Sequence, residues 1–160
     1  MSYFVDLSPY SYIERQHPIA QNKINYQELN LGWLDKQFPF LKALTERTFH
    51  KHLFDFCQYR INQTRGFHGC DFCSSKKGRS DVISFGSCEA RVFDLNGTVY
   101  ASPEMICHYV VAHQYRPPDV FVNAVMHGPQ PFTIEYEKLL TDYGFDWSLQ
   151  RTPYPPSLMD

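Results

Sequence analysis

Alternation of apolar and polar side chains marks the first regular element of the chain. Leu29, Leu31 and Trp33 recur at every second position between Glu28 and Asp35, which predicts a strand with one buried face. From about Leu41 to Tyr59 the spacing becomes helical, and the positions i, i+4, i+7 and i+8 of one stripe hold Phe49, Leu53, Phe56 and Cys57. The pattern therefore predicts a strand followed by an amphipathic helix, with Cys57 as a small core residue.

A β-hairpin and an apolar helix are predicted next. Asn96 and Gly97 lie between the β-prone runs Glu89–Asp94 and Val99–Ala101, and both residues tolerate a positive φ. Ser102-Pro103-Glu104 then has the composition of a helix start: a capping serine, a proline at the first helical position and an acid at the positive end of the dipole. The helix up to His113 contains no lysine or arginine and has almost no polar face, which predicts that it is buried.

The remaining pattern predicts two more helices and two irregular ends. The helices run from Pro118 or Asp119 to Met126 and from Thr133 to Tyr143. Tyr3 to Leu7 alternates loosely and predicts an edge strand, and Ser11 to Asn25 is polar and predicts a surface loop. We predict one globular domain over residues 1–150 and an extended, proline-rich tail over residues 151–160.

Composition narrows the class of protein. A length of 160 residues, with 43% hydrophobic and 20% charged residues, predicts a single globular domain. The net charge of −2 provides no global field that would attract nucleic acid or an anionic membrane. The five cysteines are odd in number and irregularly spaced, the N-terminus has no secretory pattern, and no apolar run approaches the length of a membrane helix. We therefore expect a reducing, cytoplasmic environment.

Two thiols and two imidazoles then predict a metal site. Cys70 and Cys73 form Cys-x-x-Cys, in which one tight turn can point both sulfurs at one ion, and His108 and His113 follow on the apolar helix. Two thiolates and two neutral imidazoles are a common ligand set of structural Zn²⁺. Along the chain, the Cys-x-x-Cys turn is followed by the hairpin and then by the helix. This order predicts an α+β domain built around a ββα zinc-finger-like unit (CxxC…HxxxxH), with N-terminal strands and additional helices around it.

Other interpretations of these residues are open. Cys70 and Cys73 as a redox dithiol are less favoured, because a Ser/Lys/Gly loop follows them where a helix would be expected. His108 and His113 also fit packed core histidines, and His68, two residues before Cys70, is an alternative ligand to His113. Cys57, Cys88 and Cys107 fall in apolar surroundings and are expected to be buried thiols.

The functional prediction is a non-catalytic protein that acts by binding another protein. Four protein ligands close the zinc sphere, and the chain lacks the motifs of zinc deaminases, metalloproteases and phosphate-binding loops. Aromatic residues make up 16% of the chain, including eleven tyrosines, which are favoured at interfaces. A toxin that the protein neutralises, or another regulatory partner, suits this chemistry. The alternatives are a zinc enzyme with an open coordination position and a nucleic-acid-binding protein that contacts phosphate through Lys76–Arg79.

Three segments resemble an uncharacterised family of small bacterial proteins. They are Trp33-Leu34-Asp35, the RGxHxCxxC run from Arg65 to Cys73, and the HYxxxHxYxPP run from His108 to Pro118. The resemblance extends from about Leu31 to Val125. It implies a bacterial source and the metal site, and it implies no activity.

Overall fold

A five-stranded sheet forms the centre of the fold. The computed structural model describes residues 2–13, 26–73 and 84–152, and it contains the strands β1 (Gln27–Asn30), β2 (Tyr59–Gly69), β3 (Ser84–Phe93), β4 (Thr98–Pro103) and β5 (Trp147–Leu149). The strand order is β1-β4-β3-β2-β5. Strand β1 runs parallel to β4, and the other neighbouring pairs are antiparallel.

Four helices are found in the described residues, and with the sheet they make a single α+β domain. They are α1 (Arg47–Phe56), α2 (Ile106–His113), α3 (Asp119–His127) and α4 (Ile134–Asp142). Helix α1 packs against α2, α3 and β3, so the apolar stripe of Phe49, Leu53 and Phe56 lies in the core. None of the helices in the described part of the chain has the length and apolarity needed to cross a membrane.

The predicted hairpin between β3 and β4 is confirmed, although its turn differs from the expected type. The Asp94 carboxylate accepts hydrogen bonds of 2.8 Å from the backbone N–H groups of Asn96 and Thr98. Gly97 has a φ of +85°, whereas the φ of Asn96 is not positive. One left-handed glycine after the turn is typical of a three-residue hairpin loop, and Asp94 supplies the side-chain contacts that hold it.

The predicted start of the helix that carries His108 and His113 is wrong by about one turn. Ser102 and Pro103 end strand β4, where Pro103 pairs with Glu89, and α2 begins only at Ile106. Pairing in the sheet therefore outweighs the local helix-start signal. The end of the helix is as expected, because Gln114 adopts a left-handed conformation (φ 56°) directly after His113.

Tertiary pairing also shortens the first predicted helix and strand. Helix α1 begins at Arg47 and not near Leu41, because Lys42 forms an antiparallel bridge with Tyr115. Leu41 accepts a backbone hydrogen bond of 2.9 Å from Arg116, and this pairing holds the segment outside the helix. Strand β1 ends at Asn30, two residues before Gly32, whose φ of +72° is incompatible with a continued strand.

Two strands were missed by the hydrophobic pattern, and one predicted strand is wrong. Strand β2 is buried only near its start and is interrupted by two register shifts, so its apolar residues do not alternate. Strand β5 has only three residues. Residues 3–7 form no strand, because the chain turns at Leu7 (φ 65°) and Ser8 donates a backbone hydrogen bond to Val5. Helices α3 and α4 agree with their predicted ranges to within one residue.

An independent ββα zinc-finger unit is not confirmed. Strands β3 and β4 and helix α2 follow one another as predicted, but both strands are interior strands of the five-stranded sheet. The Lys76–Arg79 loop, most of the predicted Ser11–Asn25 loop and the tail from residue 153 onward lie outside the described residues.

Candidate metal centre

The end of β2 places the two cysteines. Strand β2 ends at Gly69, and Cys70 begins a tight turn in which the Cys73 backbone N–H donates a hydrogen bond of 3.3 Å to the Cys70 carbonyl. Cys70 Sγ also accepts hydrogen bonds from the backbone N–H groups of Phe72 and Cys73. The turn therefore points the two sulfurs toward the same space, as a Cys-x-x-Cys ligand pair requires.

Helix α2 places the two histidines opposite this turn. His108 lies within the helix and His113 is its last residue. Histidines five residues apart lie about 140° apart around an ideal helix, so a shared ligand position is expected only at a helix end. The left-handed Gln114 ends the helix at the residue where the second imidazole turns toward the cysteines.

Cys70, Cys73, His108 and His113 are positioned to bind one metal ion. Their four ligand atoms all lie within 4.8 Å of one another. His113 Nε2 is 3.2 Å from Cys70 Sγ, 3.5 Å from Cys73 Sγ and 3.2 Å from His108 Nε2. Cys73 Sγ is 3.3 Å from His108 Nε2. The sequence prediction that these four side chains come together agrees with this geometry.

Burial sets the protonation state of the metal-free site. Burial raises the pKa of the Cys70 thiol to about 11, and it lowers the pKa of His108 to about 4, with the neighbouring His113 as a second cause. Burial also lowers the pKa of His113, and Lys42 acts in the same direction. At neutral pH the two imidazoles are therefore neutral and can bind a metal ion directly. The Cys70 thiol must release its proton when the metal ion binds.

Aromatic side chains fix the ligand turn against the helix. Phe72, between the two cysteines, lies 5.5 Å from the rings of both Tyr109 and His113 and 5.3 Å from the ring of Phe40. Phe40 in turn packs on Tyr115, two residues beyond His113. Sequence reasoning singled out the ligands and missed these supporting rings, although Phe72 and Tyr115 both lie inside the quoted motifs.

The other candidate residues lie outside the metal group. His68 lines a separate small cavity with Trp33, Cys88 and Glu104 and is not a member of the four-residue group. Cys57, Cys88 and Cys107 are buried, as predicted. The Cys88 thiol donates a hydrogen bond of 3.0 Å to Glu104, so it already has a partner.

Comparison with known proteins gives a family and no activity. No curated protein and no solved structure gives a significant match to the chain. One family model, described as a domain of unknown function (DUF7919), matches residues 2–126. The predicted resemblance to an uncharacterised family is thereby confirmed. Because the match covers well over half of its length, the chain belongs to the DUF7919 family.

Proposed function

We propose that the metal ion is Zn²⁺ and that it holds the end of β2 against α2. The edges of a tetrahedral zinc site measure about 3.3–3.4 Å between two nitrogens and about 3.5–3.6 Å between nitrogen and sulfur, given the usual zinc–ligand distances. Four of the six separations between the ligand atoms are 3.2–3.5 Å, close to these values, and all six are within 4.8 Å. Two sulfurs and two imidazoles favour zinc over the hard cations, which prefer oxygen ligands.

A structural role for this ion is favoured over a catalytic one. The observation that carries the proposal is that four protein side chains bring their ligand atoms within 4.8 Å of one another, enough to fill all four positions around one zinc ion. A catalytic zinc ion keeps one position open for water or substrate. With zinc bound, the ligand turn, the hairpin and α2 act together as the zinc-finger-like unit of the sequence prediction, embedded in a larger sheet.

The protein then acts by binding a protein partner, and the surface next to the metal centre supports this role. A groove of about 460 Å³ lies between the N-terminal segment and residues 34–41. Several apolar side chains that line it are exposed to solvent: Val5 is 60%, Phe38 46% and Leu41 70% exposed. Exposed apolar side chains gathered around a groove are typical of protein interaction sites.

This groove is joined directly to the metal centre. Phe40, one of its lining residues, contacts Phe72 of the ligand turn. Arg116, another lining residue, donates its backbone N–H to Leu41 and lies three residues beyond His113. Zinc binding therefore stabilises the walls of the groove as well as the ligand turn.

The charges near the groove favour a protein partner over nucleic acid. Asp6 and Asp35 line the groove, and its one lining cation, Arg116, forms an ion pair with Asp119. A phosphate backbone would meet two carboxylates there and only one cation, which already has an acidic partner. A toxin or another regulatory protein with an apolar contact surface is the partner that we propose.

Affinity capture with matched surface variants tests the proposal. The full chain is used as bait in its native host, as the wild type, as Leu41→Glu and as Leu95→Glu. Both leucines are largely exposed, but Leu95 lies in the β3–β4 turn and not in the groove. We expect a stoichiometric protein partner with the wild type and with Leu95→Glu, and its loss with Leu41→Glu. Enrichment of nucleic acid, or equal capture by both variants, contradicts the proposal.

A further inference from the structure

The two cysteines of the metal group differ from each other in exposure. Of the five cysteines, four are buried and Cys73 alone is partly exposed. Its sulfur belongs to the ligand group, so the solvent-facing side of the metal centre carries a thiolate whenever the ion is bound. Cys70 lies behind it, within 4.8 Å.

We propose that Cys70 and Cys73 form an oxidative modification site, in which a peroxide converts the two metal-bound thiolates into a disulfide and releases the ion. This inference rests on the proposed zinc site and adds its regulation. The loss of two of four ligands leaves only His108 and His113, and two imidazoles alone hold zinc weakly.

The chemistry balances with hydrogen peroxide as the oxidant. The Cys73 thiolate attacks one peroxide oxygen, the O–O bond breaks, and the departing hydroxide takes up a proton to become water. The Cys70 thiolate then attacks the Cys73 sulfenic acid, the S–S bond forms, and a second hydroxide leaves and is protonated. Two electrons pass from the thiolates to the peroxide, and the zinc ion leaves with its charge unchanged.

The positions of Cys70 and Cys73 explain why peroxide would oxidise this pair and not the other three cysteines. Cys73 is the partly exposed residue of the pair, so peroxide reaches it first, and the turn already holds Cys70 beside it through backbone N–H groups. The three remaining cysteines are buried, and burial raises the pKa of the Cys57 thiol well above its usual range. Thiols react with peroxide as thiolates, so these three serve as unreactive internal references.

Oxidation of the two cysteines would also affect the groove between the N-terminal segment and residues 34–41. Phe72 lies between the two cysteines and contacts Phe40, which lines the groove. Zinc loss and disulfide formation therefore disturb the contact between Phe72 and Phe40 that holds this side of the groove in place. Oxidation is expected to weaken partner binding as well as metal binding.

Peroxide treatment of the zinc-loaded full chain tests the proposal. Zinc release is followed with a chromophoric indicator, and the remaining thiols are alkylated after unfolding and located by peptide mass spectrometry. We expect about one zinc released per chain, a disulfide in the peptide containing Cys70 and Cys73, and alkylation of the three other cysteines. A thiol reductant with added zinc should restore the metal. Cys107→Ala is the matched control and should release zinc at the wild-type rate.

The outcomes separate this inference from the proposed function. Zinc that stays bound while chelator still destabilises the protein contradicts the inference and leaves the structural zinc intact. Oxidation at Cys57, Cys88 or Cys107 in place of the pair also contradicts it. A chain that binds no zinc contradicts the proposed function itself. The mapping uses wild-type protein, so it does not depend on the folding of a ligand variant.

Discussion

The hydroxyl group of Tyr115 donates a hydrogen bond of 2.7 Å to Oδ2 of Asp6. The other carboxylate oxygen of Asp6 accepts a bond of 2.8 Å from the backbone N–H of Gly32. One acidic side chain thus ties the N-terminal segment both to Gly32, just beyond β1, and to Tyr115, just beyond His113. Tyr115 is 1% exposed, so this link is part of the core beneath the groove.

Tyr115→Phe removes this link and keeps the ring that packs on Phe40. A hydrogen bond to a charged group contributes about 1.5–3 kcal/mol, and the variant should lose about that much unfolding free energy. Urea unfolding measures the loss, with Tyr12→Phe, at an exposed tyrosine, as the control. Zinc content should stay near one per chain, because no ligand changes. An unfolding free energy equal to that of the wild type contradicts the assigned role of Asp6.

Histidine variants decide which imidazole completes the metal site. His113 Nε2 contacts both cysteine sulfurs, whereas His68 lines the cavity next to Cys88 and Glu104. We expect His113→Ala to weaken zinc binding strongly and His68→Ala to keep about one zinc per chain. Metal analysis after dialysis against a weak chelator measures the difference. The reverse pattern would show that His68 is the fourth ligand.

A buried arginine away from the metal centre makes an independent prediction about the sheet. Arg91 is fully buried, forms ion pairs with Glu28 (2.8 Å) and Glu89 (2.5 Å), and lies between the rings of Tyr10 and Phe145. Arg91→Met leaves two carboxylates without their cation and should cost about 3–5 kcal/mol of unfolding free energy.

The control for Arg91 is Arg116→Met. The Arg116–Asp119 pair lies on the surface, with the two side chains 29% and 81% exposed, so its removal should cost no more than about 1 kcal/mol. Chemical unfolding of the two variants under the same conditions makes the comparison. Similar losses in both would contradict the assigned strength of the buried cluster.

The metal ligands could be predicted from the sequence because their evidence is local. Residue type and spacing alone indicate a metal site at a Cys-x-x-Cys turn and two histidines near a helix end, whatever the rest of the fold is. The hairpin, α3 and α4 were predicted for the same reason, since turn residues and apolar spacing within each segment indicate them.

The sheet could not be predicted, because long-range pairing decides it. Ser102 and Pro103 have the composition of a helix start, yet they pair with Ala90 and Glu89. Leu41 fits a helix pattern, yet its carbonyl is bonded to Arg116. The aromatic chain from Phe72 through Phe40 to Tyr115 joins segments that are more than thirty residues apart, and no local spacing indicates such contacts.

Metal affinity should rise with pH. Burial raises the pKa of the Cys70 thiol to about 11 in the metal-free site, so at neutral pH zinc must displace its proton. The pKa of His108 is lowered to about 4, so this imidazole is already neutral above that pH and does not add to the effect. The stabilisation by bound zinc is therefore greatest at high pH and is lost as the pH falls.

Competition titrations against a chromophoric chelator measure this dependence. From about pH 6 to about pH 8, the affinity corrected for the chelator's own protonation should rise at least about tenfold per pH unit, because at least one proton is released. An affinity that does not change over this range would show that Cys70 binds no metal as a thiolate.

Chelation distinguishes a structural zinc ion from a catalytic one. The binding energy of a structural ion is folding energy, with apparent values of about 10–16 kcal/mol in small finger peptides at neutral pH. The sheet and helices supply part of the stability here, but the whole margin of a domain is only about 5–15 kcal/mol. Chelator should therefore lower the wild-type melting midpoint. A loss of about 4 kcal/mol corresponds to about 8–16 °C in a chain of this size.

Variants make this test specific to the metal group. Cys70→Ser should be destabilised strongly without chelator, and chelator should then have little further effect, because the site has already lost a ligand. Cys57→Ser should cost only about 1–3 kcal/mol, because it places a hydroxyl group in the buried core, and it should keep the full response to chelator. If chelator removes the ion from wild-type protein and the melting curve does not move, the ion does not stabilise the fold. A catalytic zinc ion, held by only three of the four side chains and with one open position, would then be the better hypothesis.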